Sequence, residues 1–533
     1  MGAGKTTVGQ RLARRLGWPF VDLDEEIAAA FAHPIPTIFE RWGEPAFRAM
    51  ESRLLHQALA LPRRVVALGG GAVLAEENRA ALLSRSRWVQ LDVPAAELLR
   101  RLGPADPSRP LWNAEELLRR LSARAPHYAQ APERIDADGP PGDVVERLLA
   151  GVVEPPVSER SPPELLRRVP VAVPGVEYEV LIGRGLIDQL GELVRDIGRG
   201  PIALLSDWNV SALHGDRAQA ALEESGREVL RVTLPAGEQH KAMAPVLEAT
   251  DRLLSRGWQR GAPVVALGGG VLGDMAGLVA ALTLRGVPFV QVPTTLLAMV
   301  DSSVGGKVGV NHRAGKNLLG AFHQPHLVVA DLDLLDTLPD RELRAGLGEA
   351  AKTALLGDLE LLRRLEEEPA GVLARDPEAL ADVVERCVRF KAAVVAEDAF
   401  EADRRRILNL GHTLGHALER GLGYGVLLHG EAVAVGTVAA AELSVVHAAA
   451  PAGLPDRVRR LLTGLGLPIA APSPPERVLL RALSGDKKLH GGVLPWVLLN
   501  DVGRPTVCAL PLAQAGSWVA CCTDRGVITA AGE

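Results

Sequence analysis

The heptapeptide VVALGGG occurs twice in this chain, at Val65–Gly71 and at Val264–Gly270. A short run of β-branched and small apolar residues that stops at three glycines has few places to go. It suits a strand buried on both faces, and the bare backbone after it can come close to a ligand. Such strands belong to parallel sheets covered by helices, so both parts of the chain point to α/β architecture. The residues flanking the two copies have nothing in common, so the pair is not an internal repeat.

Between the copies, Pro140-Pro141, Pro155-Pro156 and Pro162-Pro163 lie in a stretch with no sustained apolar period, the composition of a semi-rigid linker. A chain of 533 residues is too long for one core in any case. The expected division is a parallel-sheet domain over 1–150, a linker over 151–166, an α/β domain over 167–340 and a mostly helical domain over 341–533. Apolar content of 47% and charged content of 23% describe an ordinary globular protein. A net charge of -6 argues against nucleic acid or an anionic membrane as the main partner and leaves small molecules. Cys387, Cys508, Cys521 and Cys522 form no CxxC pair, against a cysteine zinc site or a disulfide framework. The longest apolar stretch, near Ala432–Ala450, is interrupted by Glu442 and His447 and reads as a buried helix. No signal peptide is legible after Met1, and the cytoplasm is the expected location.

The opening MGAGKTT is most of a P-loop, in which Gly2, Gly4 and the following helix N-terminus cradle phosphates, Lys5 reaches the β/γ-phosphates and Thr6 holds Mg²⁺. Val8, Leu12 and Leu16 line one face of that helix. Further on, Phe20–Asp24 reads as a short strand ending in acids. Then come Gly43-Glu44 with Phe47-Arg48, the first triglycine turn, Arg109-Pro110-Leu111, and Arg124-Ala125-Pro126-His127-Tyr128. This ordered set resembles shikimate kinase. The resemblance implies ATP and Mg²⁺ at Lys5 and Thr6 with Asp22 assisting the metal, and shikimate held by Asp24, Arg48, Gly70, Gly71 and Arg124. Arg109 would close from a lid onto the transferring phosphoryl group. Members of that family begin with a central strand ahead of the Met-Gly-Ala-Gly-Lys found here. The expectation is an opened core, with two alternatives: translation begins upstream of Met1, or the module is impaired and non-catalytic.

Pro293–Asn317, PTTLLAMVDSSVGGKVGVNHRAGKN, gathers Asp301, Ser302, Ser303, Lys307, Asn311, His312, Lys316 and Asn317 around a glycine pair, which suits a phosphate or a polyhydroxylated anion. Ahead of it, Gly268–Asp274 satisfies GxGxxG between a strand and a helix, a dinucleotide-binding context, though the next strand ends in threonines instead of an acid. Glu349 and Lys352 stand at i and i+3 on a helix. Arg405, Asn409, His412 and His416 are spaced four, three and four apart, which puts all of them on one helix face, and His429-Gly430-Glu431 opens another helix. One glutamate and two histidines leave a coordination position open, the arrangement of catalytic zinc.

Asp207-x-Asn209, Gly237-Glu238-x-x-Lys241, GGGVLGD, PTTLLA, VDSSVGGK and GKN occur in the order and spacing of 3-dehydroquinate synthase, which this part of the chain resembles almost to the C-terminus. The resemblance implies NAD at Asp207, Asn209, Glu238, Lys241, Gly270, Asp274, Thr294 and Thr295, with Asp301, Lys307, Lys316 and Asn317 bridging cofactor and substrate. It assigns Glu349, His412 and His429 to Zn²⁺ or Co²⁺, and Asn409 and His416 to the substrate. Lys352, Lys391, Arg405 and one of Lys487 or Lys488 would bind carboxylate and phosphate. Met299 stands where glutamine is usual and Val308 where threonine is usual. The implied reaction turns 3-deoxy-arabino-heptulosonate 7-phosphate into 3-dehydroquinate and phosphate through transient oxidation by NAD, in a homodimer formed by the synthase part. The alternatives are a related sugar-phosphate cyclase and a plain metal-dependent alcohol dehydrogenase.

Overall fold

Residues Ile202–Asp207, Val264–Gly268, Phe289–Pro293 and Leu327–Asp331 are almost wholly buried, as apolar runs must be when helices cover both faces of a sheet. In the computed structural model they form the middle of a seven-stranded sheet. Its order is Glu164–Val173, Val176–Arg184, Leu327–Asp331, Phe289–Pro293, Val264–Gly268, Ile202–Asp207 and Val229–Leu234. All neighbours are parallel except the first pair, a hairpin at one edge. The structure describes residues 3–16, 18–31, 33–59, 64–102, 119, 124–150, 163–313, 315–399, 404–423, 426–484 and 492–529. Gly2, Arg109, Lys487 and Lys488, and most of the proline-rich linker, lie outside these residues.

The chain divides into two compact units, Met1–Glu159 and Arg160–Glu533. Glu164 already pairs with Arg184, so the sheet begins inside the stretch assigned to the linker, before residue 167. One apolar core runs from Val169 and Tyr178 through Val300, Leu347 and Val388 to Ile528. The stretches 167–340 and 341–533 therefore share a core. The second stretch is mainly helical, yet it also contains the antiparallel hairpin of Val493–Asp501 and Arg504–Pro511. The apolar stretch near Ala432 falls in the buried helix His429–His447, and no described helix is long and apolar enough to cross a membrane.

One expectation is overturned. Arg405 and Asn409 lie on a 3₁₀ turn, Arg404–Asn409, whereas His412 and His416 lie on a separate helix, His412–Leu422. Gly411 separates them with φ +78°, a left-handed conformation that no continuous helix accommodates. The chain breaks there because the helix must cross His429–His447 at backbone distance. A Cβ on Gly411 would overlap Thr437 and the Val433 carbonyl, and one on Gly436 would overlap the Gly411 carbonyl. Gly436→Ala should accordingly lower the thermal unfolding midpoint. Alanine gains about 1 kcal/mol of helix propensity, but overpacking at a rigid crossing costs about 1–3 kcal/mol or more. An unchanged or raised midpoint would refute the crossing as described.

In Met1–Glu159, Phe20–Asp22 pairs with Val65–Ala67 and Val89–Asp92 pairs with Glu133–Asp136, both in parallel. These are two separate ladders, with no strand joining them among the described residues. Helix Lys5–Leu16 lays Val8 and Leu12 against Val93, Leu98, Ile135 and Val144, while Val65, Val89 and Leu91 beside them are only partly buried.

Candidate active sites

In Arg160–Glu533 the residues expected to bind a dinucleotide lie at the carboxyl ends of the parallel strands, where open α/β sheets bind ligands. Asp207 ends its strand and accepts hydrogen bonds from the backbone N–H groups of Asn209 and Val210 (2.9 and 3.0 Å), closing a tight turn. Gly268 ends the next strand, and the helix Gly270–Leu282 starts immediately after it. Thr294, buried, donates its backbone N–H to the Gly268 carbonyl, and Thr295 Oγ1 accepts from Ala298 N. The hairpin of Lys307–His312 and Gly315–Phe322 borders this crevice, with Asn311 N donating to the Lys241 carbonyl at 2.8 Å. Lys241 Nζ is buried between Asp274 Oδ2 (2.5 Å) and Asn317 Oδ1 (2.7 Å). Asn311 Nδ2 donates to Glu238 Oε1 (2.7 Å), and Asn311 Oδ1 accepts from Asn317 N. Of the residues expected at a dinucleotide, Glu238, Lys241, Asp274, Lys316 and Asn317 are thus brought together by the hairpin. Lys307 stands exposed at the start of that hairpin.

The second cluster lies where three helices meet. Glu349, on Asp340–Leu356, is 1% exposed. Its Oε1 lies 3.8 Å from His412 Nε2 and 3.7 Å from His429 Nε2. Ligand atoms of His412, His416 and His429 all lie within 4.8 Å of one another, so His416 borders the same space. One close backbone crossing makes this possible. A Cβ on Gly348 would overlap Gly430, and a Cβ on Gly430 would overlap the Ala345 carbonyl. The glycine beside each ligand therefore lets the helices carrying Glu349 and His429 touch. His412 Nδ1 lies 3.1 Å from the Leu410 carbonyl, which can only accept, so the Nε2 lone pair faces Glu349.

Glu349 Oε1 is buried and accepts no hydrogen bond among the described residues, a costly condition for a carboxylate oxygen without a cation. Two imidazole Nε2 atoms and one such oxygen, at separations near the roughly 3.4 Å expected between ligands of a tetrahedral centre, fit a divalent metal. Glu349 Oε2 is paired with Lys352 Nζ. Lys391, on Pro377–Glu397, donates from a buried Nζ to the Asp301 carbonyl (2.5 Å) and Asp301 Oδ1 (2.6 Å). Burial alone would raise the Asp301 carboxyl, but the ammonium groups of Lys391 and Lys352 hold it below the usual carboxylate range. Burial pushes Lys391 itself down. Arg405, 2% exposed, donates to the carbonyls of Ala399 (2.8 Å) and Gly305 (3.1 Å), and Asn409 donates to the Arg406 carbonyl. Val308 and Met299 are buried packing residues.

Glu419 was not legible as a site residue. It is 5% exposed, and although burial alone would raise its carboxyl, His429 and Lys316 hold it well below the ordinary range. Its position three residues after His416 on the same helix was the available signal. Tyr178 was missed as well; its hydroxyl accepts from Gly305 N at 3.3 Å.

In Met1–Glu159, Thr6 Oγ1 donates to Asp22 Oδ2 (2.7 Å), and Asp24 N donates to Asp22 Oδ1 (3.0 Å). Arg48 pairs with Glu44 and with Glu51 Oε2 (2.6 Å). Arg124 Nη1 and the Tyr128 hydroxyl both donate to the Gly70 carbonyl (2.9 and 2.7 Å). A Cβ on Gly71 would overlap the Arg48 guanidinium, so the triglycine turn is what lets Arg48 approach. Burial lowers Lys5, and burial together with Asp22 raises Asp24. Glu51, buried with Oε1 lacking a partner among the described residues, was the group missed here; it follows Arg48 by three positions on one helix.

Fold and sites define an α/β unit with a candidate metal centre in its helical half, and a smaller α/β unit with a candidate phosphate loop. Residues 231–345 match the family model described as 3-dehydroquinate synthase N-terminal, residues 346–489 that described as 3-dehydroquinate synthase C-terminal, and residues 1–152 that described as shikimate kinase. The 3-dehydroquinate synthase of Caulobacter vibrioides is 47% identical over 347 residues, 64% of this chain and 94% of that protein. The corresponding enzyme of Acidithiobacillus ferrooxidans is 45% identical over 330 residues, 62% of this chain and 91% of that protein. Among solved structures, 2-epi-5-epi-valiolone synthase from Streptomyces hygroscopicus with NAD+ and Zn2+ bound matches with a TM-score of 0.61 and 30% identity, over 66% of this chain and 99% of that one. The chain belongs to the 3-dehydroquinate synthase family and carries a shikimate kinase domain at its N-terminal end, a fused enzyme of aromatic biosynthesis.

Proposed function

We propose that Arg160–Glu533 converts 3-deoxy-arabino-heptulosonate 7-phosphate into 3-dehydroquinate and phosphate, and that Met1–Glu159 phosphorylates shikimate from ATP. The observation that carries the synthase reading is the convergence of Glu349 Oε1 with the Nε2 atoms of His412 and His429, beside the buried cations Lys352 and Lys391. Bound NAD supplies a reversible hydride acceptor, and zinc or cobalt supplies a Lewis acid that polarises the substrate hydroxyl. Glu349, His412 and His429 hold that metal. Lys352, Lys391 and Arg405 make a positive wall for the substrate's carboxylate and phosphate, and the family resemblance gives one of Lys487 or Lys488 the same task. Asp301 keeps Lys391 in place, while His416 and Asn409 line the substrate side. Glu238, Lys241, Asp274, Lys316 and Asn317 hold the dinucleotide, together with Asp207, Asn209, Gly270, Thr294 and Thr295; Lys307, at the start of the hairpin, serves the substrate.

In the kinase, Gly2, Gly4, Lys5 and Thr6 hold ATP and Mg²⁺ with Asp22, and Asp24, Arg48, Gly70, Gly71 and Arg124 hold shikimate. Arg109, outside the described residues, is given the transferring group by the family resemblance alone. The synthase test is stoichiometric. With catalytic NAD and the heptulosonate phosphate, one phosphate should appear per dehydroquinate with no accumulation of NADH. Net NADH would favour the alcohol dehydrogenase reading, and preference for another heptulose phosphate would favour the related cyclase.

A further inference from the structure

Glu419 is a buried carboxylate that the proposed reaction leaves without a task. Its two oxygens face two different elements. Oε2 lies 3.4 Å from Nδ1 of His429, the first residue of its helix, and Oε1 accepts from Lys316 Nζ at 3.0 Å, beside the turn of the hairpin that borders the dinucleotide crevice. A carboxylate can only accept, so the His429 bond places the proton on Nδ1 and leaves the Nε2 lone pair facing Glu349. Lys316 lies in turn 3.7 Å from Glu238, and its neighbour Asn317 accepts from Lys241.

We propose that Glu419 is a positioning residue that joins the metal centre to this hairpin: one oxygen fixes the ring and tautomer of His429, the other anchors Lys316. Metal binding then orders the hairpin over the dinucleotide crevice. The inference rests on Glu349, His412 and His429 being the metal ligands.

The full chain, stripped of metal with a chelator, is titrated with Co²⁺ against a competing chelator while the visible spectrum of the bound ion and amide hydrogen exchange over 307–322 are recorded. Wild type should bind Co²⁺ and show slower hairpin exchange on loading. Glu419→Ala should weaken binding about 10–100-fold, shift the Co²⁺ absorption bands, and leave hairpin exchange indifferent to metal. Glu419→Gln keeps an oxygen that can accept from His429 but loses the negative charge opposite Lys316. It should retain the spectrum, and affinity within a few-fold, while losing the hairpin response. Wild-type affinity and spectrum in Glu419→Ala would overturn the proposal, as would equal loss of affinity in both variants. If His412→Ala binds Co²⁺ as wild type does, the metal-site reading itself fails.

Discussion

Phosphate release from the heptulosonate phosphate falls by about 10³-fold or more in a His412→Ala variant, while shikimate phosphorylation by the same protein is unchanged. A loss of that size corresponds to about 4 kcal/mol of transition-state stabilisation, within the several kcal/mol a Lewis-acidic metal supplies. His412 is the natural choice because its Nε2 faces Glu349 across 3.8 Å and its Nδ1 is occupied by the Leu410 carbonyl, so no other ring atom can substitute. Metal content, measured by elemental analysis after gel filtration, should fall with the activity. Retained metal together with retained turnover would remove His412 from the site. Chelation of the wild-type enzyme should reproduce the loss, and added Zn²⁺ or Co²⁺ should reverse it.

The complementary variant is Lys5→Ala. Shikimate phosphorylation should drop by about 10³-fold, since the lysine of a phosphate loop stabilises charge that develops on the transferring group. The synthase rate should stay at its wild-type value. Lys5 is lowered by burial yet flanked by Asp22 and Asp24, so its removal takes away one of the cations, with Arg48, that offset these two acids. If neither the wild type nor the variant phosphorylates shikimate, the module is non-catalytic, and the separate Phe20–Asp22/Val65–Ala67 and Val89–Asp92/Glu133–Asp136 ladders would account for it, because a phosphate loop draws its rigidity from the sheet behind it. Loss of synthase turnover in Lys5→Ala would contradict the independence of the two reactions.

Much of the fold was legible because its signals are local. Val264–Gly268 and Phe289–Pro293 are apolar runs of strand length between turn residues, and they are central strands. Helix Lys5–Leu16 follows the spacing of Val8, Leu12 and Leu16. The candidate site was legible only as a set of residue types in motif order. What spacing suggested wrongly was one helix face for Arg405, Asn409, His412 and His416, because the left-handed Gly411 is demanded by a neighbouring helix, not by its own segment.

By itself, the sequence determined that strands would end in bare glycine turns, that a proline-rich stretch would interrupt the cores, and which side chains were candidates for binding metal, phosphate and nucleotide. Only the tertiary structure decided which of them meet. Glu349 reaches His412 and His429 because Gly348 and Gly430 let two helix backbones touch, and Glu419 becomes part of the site because Lys316 arrives on a hairpin more than a hundred residues earlier in the chain. A periodic pattern reports which face of an element is buried, but not which element it is buried against. Distances between groups on different elements are set by packing, and packing is a property of the whole core.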